Sequence, residues 1–343
     1  MGKLAICTLL ALTALAIPSP ASAAIIPVPY TALGDSYSAG EGNDPFDGNC
    51  HRALREDSAY PRMLPGLTGY VGTPNFHACT GAVMADVLQR SQPHRKSQLP
   101  QIEYVRQGDR LVTLTIGGND LHFSQVIGEC YTHRYCGDRP LAHQIDDELP
   151  KMKAQLVDLY EEILGRMSPN GYLVVAGYPR LFSLEKDNVG CNPFISVAES
   201  DWIDELVDRG NAKIAAAVKT ARQSGGHVFY VNVADDFDGH EICSDEPWLY
   251  GLTPSFHEGL NFIKGSYHPK PQGQHAYAEA IAAFLRLPGV PDAITASRSP
   301  RSAYSASSPA PGSWSPGPGR RGARRGRWCA PAPACRPAGG ARP

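Results

Sequence analysis

The chain has 343 residues, is 42% hydrophobic and carries a formal net charge of −2, a length and composition suited to a folded core of ordinary size. The near-neutral total hides a split. The last 47 residues hold nine Arg and no Lys, Asp or Glu, and Lys3 adds one more positive charge, so residues 24–296 stand at −12. A folded region of that sign argues against nucleic acid as a partner.

In chain order, residues 1–23 have the organisation of a secretory signal: Lys3, an apolar run Leu4 to Ile17, and the small-residue cleavage site Ala21-Ser22-Ala23. Cleavage after Ala23 leaves an exported chain, and no later segment is apolar enough to span a bilayer. Tyr30–Leu33 is the first strand and runs into Gly34-Asp35-Ser36-Tyr37. A short strand follows near Tyr70–Val71, then a helix over Gly81–Arg90, a strand over Leu111–Ile116 and a helix over Gln144–Met167. The turn Ser168-Pro169-Asn170-Gly171 leads to a strand at Tyr172–Ala176, then a helix at Ala198–Gln223, a strand at His227–Val231 and a helix at Pro271–Leu285. Apolar runs alternating with helical patterns read as a parallel sheet. The expected fold is therefore an α/β three-layer α/β/α sandwich with a five-stranded parallel sheet, flavodoxin-like, with its site outside the carboxyl ends of the strands. Residues 297–343, rich in Pro, Gly, Ala, Ser and Arg, read as a disordered basic tail. The expected organisation is a signal peptide (1–23), one folded domain (24–296) and this tail (297–343).

Six of the nine cysteines fall within 24–296: Cys50, Cys79, Cys130, Cys136, Cys191 and Cys243. An even number in an exported domain points to disulfides, but about 15 pairings are open. There is no Cys-x-x-Cys and no His at ligand spacing, so no metal is expected. The acidic residues Asp235, Asp236, Asp238 and Glu241 lack the spacing of a calcium loop and read as a solvated turn. The long stretches Asn43–Tyr60, Leu121–His143, Tyr178–Ser196 and Ala234–Lys264 read as loops around the site.

Chemistry is concentrated in four separated blocks. Ser36 lies on a tight turn at a strand end, where a hydroxyl is presented to solvent and main-chain N–H groups face any oxyanion that forms. Thr80-Gly81-Ala82 opens a helix, Gly117-Gly118-Asn119-Asp120 follows a strand, and His268-Pro269 precedes the last helix. The serine is not in a Gly-x-Ser-x-Gly elbow. Asp35 reads as a local turn carboxylate and Asp120 as a cap on the turn that follows it; the histidines other than His268 read as structural or solvent-exposed, with His122 the one to check against the pocket.

Ser36, Gly81, Asn119 and His268, in this order, resemble the SGNH (GDSL-type) hydrolase family, in particular its secreted actinobacterial-type esterases and lipases. The resemblance spans roughly residues 28 to 286. It implies the SGNH hydrolase fold and a carboxylic ester hydrolase that forms an acyl-enzyme on Ser36 with His268 as general base. Ser36, Gly81 and Asn119 would supply the oxyanion hole, and no cofactor is implied. It also implies the sequential pairs Cys50–Cys79, Cys130–Cys136 and Cys191–Cys243. One departure stands out: the family has Asp three residues before the histidine, and here that position is Gly265. The backbone carbonyl of Gly265, with that of Ser266 as the second candidate, is expected to orient His268, and Asp235, Asp236 or Glu258 could serve instead. The expected substrate is a small-molecule or lipid ester, and the protein is expected to be a secreted monomer. Other readings are a phospholipase A or lipid acyltransferase on the same residues, a carbohydrate or peptide deacylase, and a non-catalytic cell-envelope binding protein.

Overall fold

The computed structural model describes residues 26–92, 98–183, 194–252, 254–255, 261–262 and 265–296. The signal segment, the tail, Cys191 and Glu258 lie outside the described residues.

Five strands form one parallel sheet: β1 (Tyr30–Gly34), β2 (Asn75–Phe76), β3 (Leu111–Thr115), β4 (Tyr172–Ala176) and β5 (Val228–Val231), in the order β2-β1-β3-β4-β5. This is the doubly wound order whose switch point lies between the first and third strands. Every residue of β1 and of β3 is buried, as expected for strands covered on both faces. Register pairs Leu33 with Leu114 and Gly34 with Thr115, so both strands end at the same level. Leu33, Leu111, Leu114 and Ile116 are fully buried; each such side chain contributes about 1.5–3 kcal/mol of transfer free energy.

The helices are α1 (Ser36–Ala39), α2 (Tyr60–Thr68), α3 (Met84–Leu88), α4 (Phe123–Thr132), α5 (Pro140–Arg166), α6 (Val197–Gln223), α7 (Pro271–Leu285) and α8 (Val290–Thr295). α2 packs on α7, and α5 on α6. Local chemistry sets their starts. Ser196 and Glu199 form a reciprocal capping box on α6, and Pro140 and Pro271 occupy the first positions of α5 and α7, where no N–H is needed.

Three expectations change. The edge strand is Asn75–Phe76 rather than Tyr70–Val71; Val71 makes only an isolated bridge to Val28. The helix expected over Gly81–Arg90 is confined to Met84–Leu88. Stretches without an expected helix also form one, α2, α4 and α8 among them. α2 tolerates Pro61 in its first turn and Pro65 inside while burying Tyr60 and Leu64, and α4 lies within the stretch read as the loop Leu121–His143. No helix among the described residues is long and apolar enough to cross a membrane.

Candidate active site

β1 delivers Ser36 through a turn that only glycine permits. Gly34 has φ +130°, and a Cβ there would lie 2.5 Å from the Thr115 carbonyl oxygen and 2.6 Å from Ser38 Oγ. Asp35 caps α1: its Oδ1 accepts the Tyr37 N–H at 3.0 Å and the Thr115 hydroxyl at 2.7 Å. Its Oδ2 accepts the Tyr178 hydroxyl at 2.5 Å. Asp35 is thus a local turn carboxylate and also a link to β3 and to the end of β4. Burial raises it to about 6, against the lowering effect of the Tyr178, Thr115 and Tyr37 bonds.

Ser36 Oγ lies 2.7 Å from His268 Nε2, across 232 residues of chain. His268 Nδ1 lies 2.9 Å from the Ser266 carbonyl oxygen. A carbonyl only accepts, so Nδ1 carries the proton and Nε2 is left as the acceptor of the serine hydroxyl. The orienting carbonyl is therefore that of Ser266, not Gly265. The Gly265 carbonyl instead accepts the main-chain N–H of His268 at 3.2 Å, and Tyr267 has φ +65° between them, turning the Ser266 carbonyl toward the ring. The absence of Asp at 265 also has a steric cause: a Cβ there would fall 2.8 Å from Gly42 Cα. Asp235 is bonded to Asn232, and Asp236 lies in a different depression beside Trp248 and His275; neither substitutes for Ser266. Burial lowers His268 below the usual imidazole value, opposed by the charge of Glu41 and by the carbonyls of Ser266 and Gly265.

The histidine segment is tied to the serine segment. Tyr37 Oη donates to the Tyr267 carbonyl at 2.8 Å, and Asn43 Nδ2 donates to the Pro269 carbonyl at 3.0 Å. The Tyr37 and His268 rings lie 5.1 Å apart.

Gly81 and Asn119 line the same cavity as Ser36 and His268. Asn119 Nδ2 donates to the Ala82 carbonyl at 3.0 Å, joining the two blocks. Asp120 does not cap the turn after it; it accepts the Met84 N–H and so caps α3. Burial raises Asp120 to about 7, with the Met84 bond pulling it down. His122 is not in the cavity; it starts α4 at φ +54° and faces Gln144 and Glu148.

The cavity has a volume of about 320 Å³ and runs from the Ser36–His268 pair into apolar side chains of α4, α5 and α6, among them Phe123, Ile127, Met152, Leu206 and Ile214. That size lies at the low end of small-molecule sites. Cys50 and Cys79 are bonded at 2.09 Å and Cys130 and Cys136 at 2.02 Å. The first bond ties the segment before Thr80-Gly81 to the Asn43–Tyr60 stretch. The second closes the C-terminal end of α4. The pair Cys191–Cys243 involves Cys191, outside the described residues.

Sequence reading did not find Tyr178, Asn43 or Glu41 as residues of the site. Asn43 and Tyr178 act through contacts to residues more than a hundred positions away, which no local pattern announces. Glu41, a carboxylate between two glycines just after the serine turn, had a signal in its position alone.

Residues 32–276 match the GDSL-like Lipase/Acylhydrolase family. A lipase of Streptomyces rimosus is 34% identical over 251 residues, covering 71% of this chain and 82% of that protein. Lipase 1 of Streptomyces coelicolor is 31% identical over 250 residues, again covering 71% and 82%. Among solved structures, phospholipase A1 from Streptomyces albidoflavus NA297 superposes with a TM-score of 0.62 at 29% identity, covering 75% of this chain and 99% of that one. The extracellular lipase of Streptomyces rimosus gives 0.61 at 29% identity with the same coverage. With the family match spanning most of the folded region, this chain belongs to the GDSL-like lipase/acylhydrolase family.

Proposed function

We propose that this protein is an exported carboxylic ester hydrolase, an esterase or lipase, working through an acyl-enzyme on Ser36. The observation that carries the reading is the chain of contacts Ser36 Oγ–His268 Nε2 at 2.7 Å and His268 Nδ1–Ser266 O at 2.9 Å, at the head of an apolar cavity. Membership of the family and the similarity to Streptomyces lipases support it.

In the proposed reaction His268 Nε2 takes the Ser36 proton as Oγ adds to the ester carbonyl. The N–H groups of Ser36 and Gly81 and the amide of Asn119 receive the oxyanion. Collapse breaks the bond to the alcohol, which leaves with the proton held on Nε2. Water then adds to the acyl carbon by the same route, gives its proton to His268, and the acid departs as Ser36 Oγ takes that proton back. The Ser266 carbonyl keeps the Nδ1–H in place throughout and brings no net charge. The apolar cavity receives the acyl chain. All five residues come from one chain, so the reading needs no partner subunit.

The similarity to a phospholipase A1 favours a second substrate, a phospholipid ester cleaved by the same groups. Export rests on the signal-like residues 1–23 and on the likeness to an extracellular lipase. The test is hydrolysis of p-nitrophenyl esters from acetyl to palmitoyl, and of phosphatidylcholine vesicles, by wild type and Ser36→Ala. Turnover lost in the variant is expected, with the preferred chain length and head group dividing esterase, lipase and phospholipase. Equal turnover by Ser36→Ala would contradict the reading.

A further inference from the structure

Ser266 supplies a dipole to His268 where the family places a carboxylate, which leaves the imidazolium formed during the reaction without a formal counter-charge. The backbone of Gly42 fills the space where a side chain at 265 would begin. The residue next to it is Glu41, whose carboxylate is only 2% exposed. Its main-chain N–H is bonded to the Ser36 carbonyl at 3.1 Å. A buried carboxylate in this place needs a partner, and it has one: both oxygens lie 3.0 Å from His51 Nδ1. His51 is itself held at φ +49°, stacked on Phe46 at 4.8 Å between ring centres, and follows the disulfide-bonded Cys50.

We propose that Glu41 is a positioning residue that supplies, from behind the Gly42–Gly265 contact, the negative charge the missing aspartate would have brought, and that His51 holds it in place. The inference rests on the Ser36–His268 reading above. Its physical content is Coulombic. An ion in a poorly solvated setting acts on another across several ångströms far more strongly than in water, without touching it. Among the described residues, the charge of Glu41 acts on His268 and favours the protonated ring. A hydrogen-bonded carbonyl fixes the tautomer, and a nearby anion stabilises the charge; here the two tasks of one aspartate fall to two groups.

Among the described residues, other titratable groups around the pair are Asp35 at the cap of α1, Tyr37 against the His268 ring, Tyr267 with Tyr131 on its hydroxyl, and Tyr250 with Lys270 beside it. Asp47 and Arg52, flanking His51, pair with each other at 2.8 Å. All of these are unchanged in the variants below, so differences between profiles report on Glu41.

The experiment is the pH profile of kcat/KM on a short p-nitrophenyl ester for the full chain, compared with Glu41→Gln, Glu41→Asp and His51→Lys. Glu41→Gln removes the charge, and His51→Lys leaves the carboxylate but neutralises it with a permanent cation. Both are expected to lower plateau kcat/KM by roughly 5- to 10-fold and to move the acid limb to lower pH, because His268 then loses its proton more easily. Glu41→Asp is expected to keep the wild-type limb. A Glu41→Gln enzyme that is slower with an unmoved acid limb would overturn the proposal in favour of a structural role, as would a wild-type profile in His51→Lys. Should Glu41→Gln not fold, His51→Lys decides alone, since its side-chain site is 23% exposed and open to a longer side chain. Absence of ester turnover in the wild type would instead remove the Ser36–His268 reading, so the two failures are distinct.

Discussion

Ser36 sits on a turn whose geometry is dictated by the sheet. Gly34 pairs with Thr115 in the β1–β3 ladder, Asp35 caps α1 while bonded to Thr115, and Ser38 Oγ is within 2.8 Å of both Tyr60 Oη and Thr115 Oγ1. His268 sits on a stretch with no regular structure of its own. Main-chain bonds join it to a neighbouring loop, from Tyr250 N to the His268 carbonyl and from Tyr267 N to the Tyr250 carbonyl, and side-chain bonds reach it from Tyr37 and Asn43. The proposed nucleophile is thus positioned by core packing, and the proposed base by hydrogen bonds that start on the segment of Ser36. Damage to the second set should cost catalysis more than stability, and damage to the first should cost both.

The largest effect expected is that of His268→Ala, a loss of kcat on the order of 10⁴-fold with a nearly unchanged melting temperature. A comparable fall in stability would show that His268 belongs to the core. Asn119→Ala should lower kcat by about 10²–10³-fold if its amide meets the oxyanion; an effect on KM alone would assign it to binding. Tyr37→Phe deletes only the bond to the Tyr267 carbonyl. It should lower kcat roughly tenfold and stability by about 1 kcal/mol, and unchanged kcat would mean the histidine segment holds itself.

The smallest effect separates the serine turn from the rest by pH. Asp35 is raised from 3.8 to about 6 by burial. The folded site prefers the protonated acid, so this group's contribution to stability is fully present below its unfolded value and is lost as pH rises through about 6. The melting temperature of wild type minus that of Asp35→Asn should therefore fall between about pH 4 and pH 6 and level off above. A constant difference would show that the buried carboxylate does not titrate there.

The sequence made β1, β3, β4 and β5 legible to within a residue, because buried parallel strands are continuous apolar runs. It made α7 legible because Pro271 opens a long periodic segment. The edge strand was not legible: two residues carry no period, and Asn75–Phe76 is a strand only because β1 stands beside it. α2 was hidden by Pro65 and Gly66, which read as breakers although Tyr60 and Leu64 are buried by α7. At the site, Ser36, Gly81, Asn119 and His268 were legible as local motifs, and the structure brings them to one cavity. Which carbonyl faces His268 was not, since it depends on the left-handed conformation of Tyr267. Asn43 was invisible for a related reason: it bonds the Pro269 carbonyl, which only the fold brings near.

The most direct test of the central claim is intact-mass analysis after treatment with a fluorophosphonate, on wild type and Ser36→Ala. One adduct on the wild type, mapped to Ser36 and absent from the variant, is the expected result. Equal labelling of the variant, or an adduct on another residue, would contradict the account.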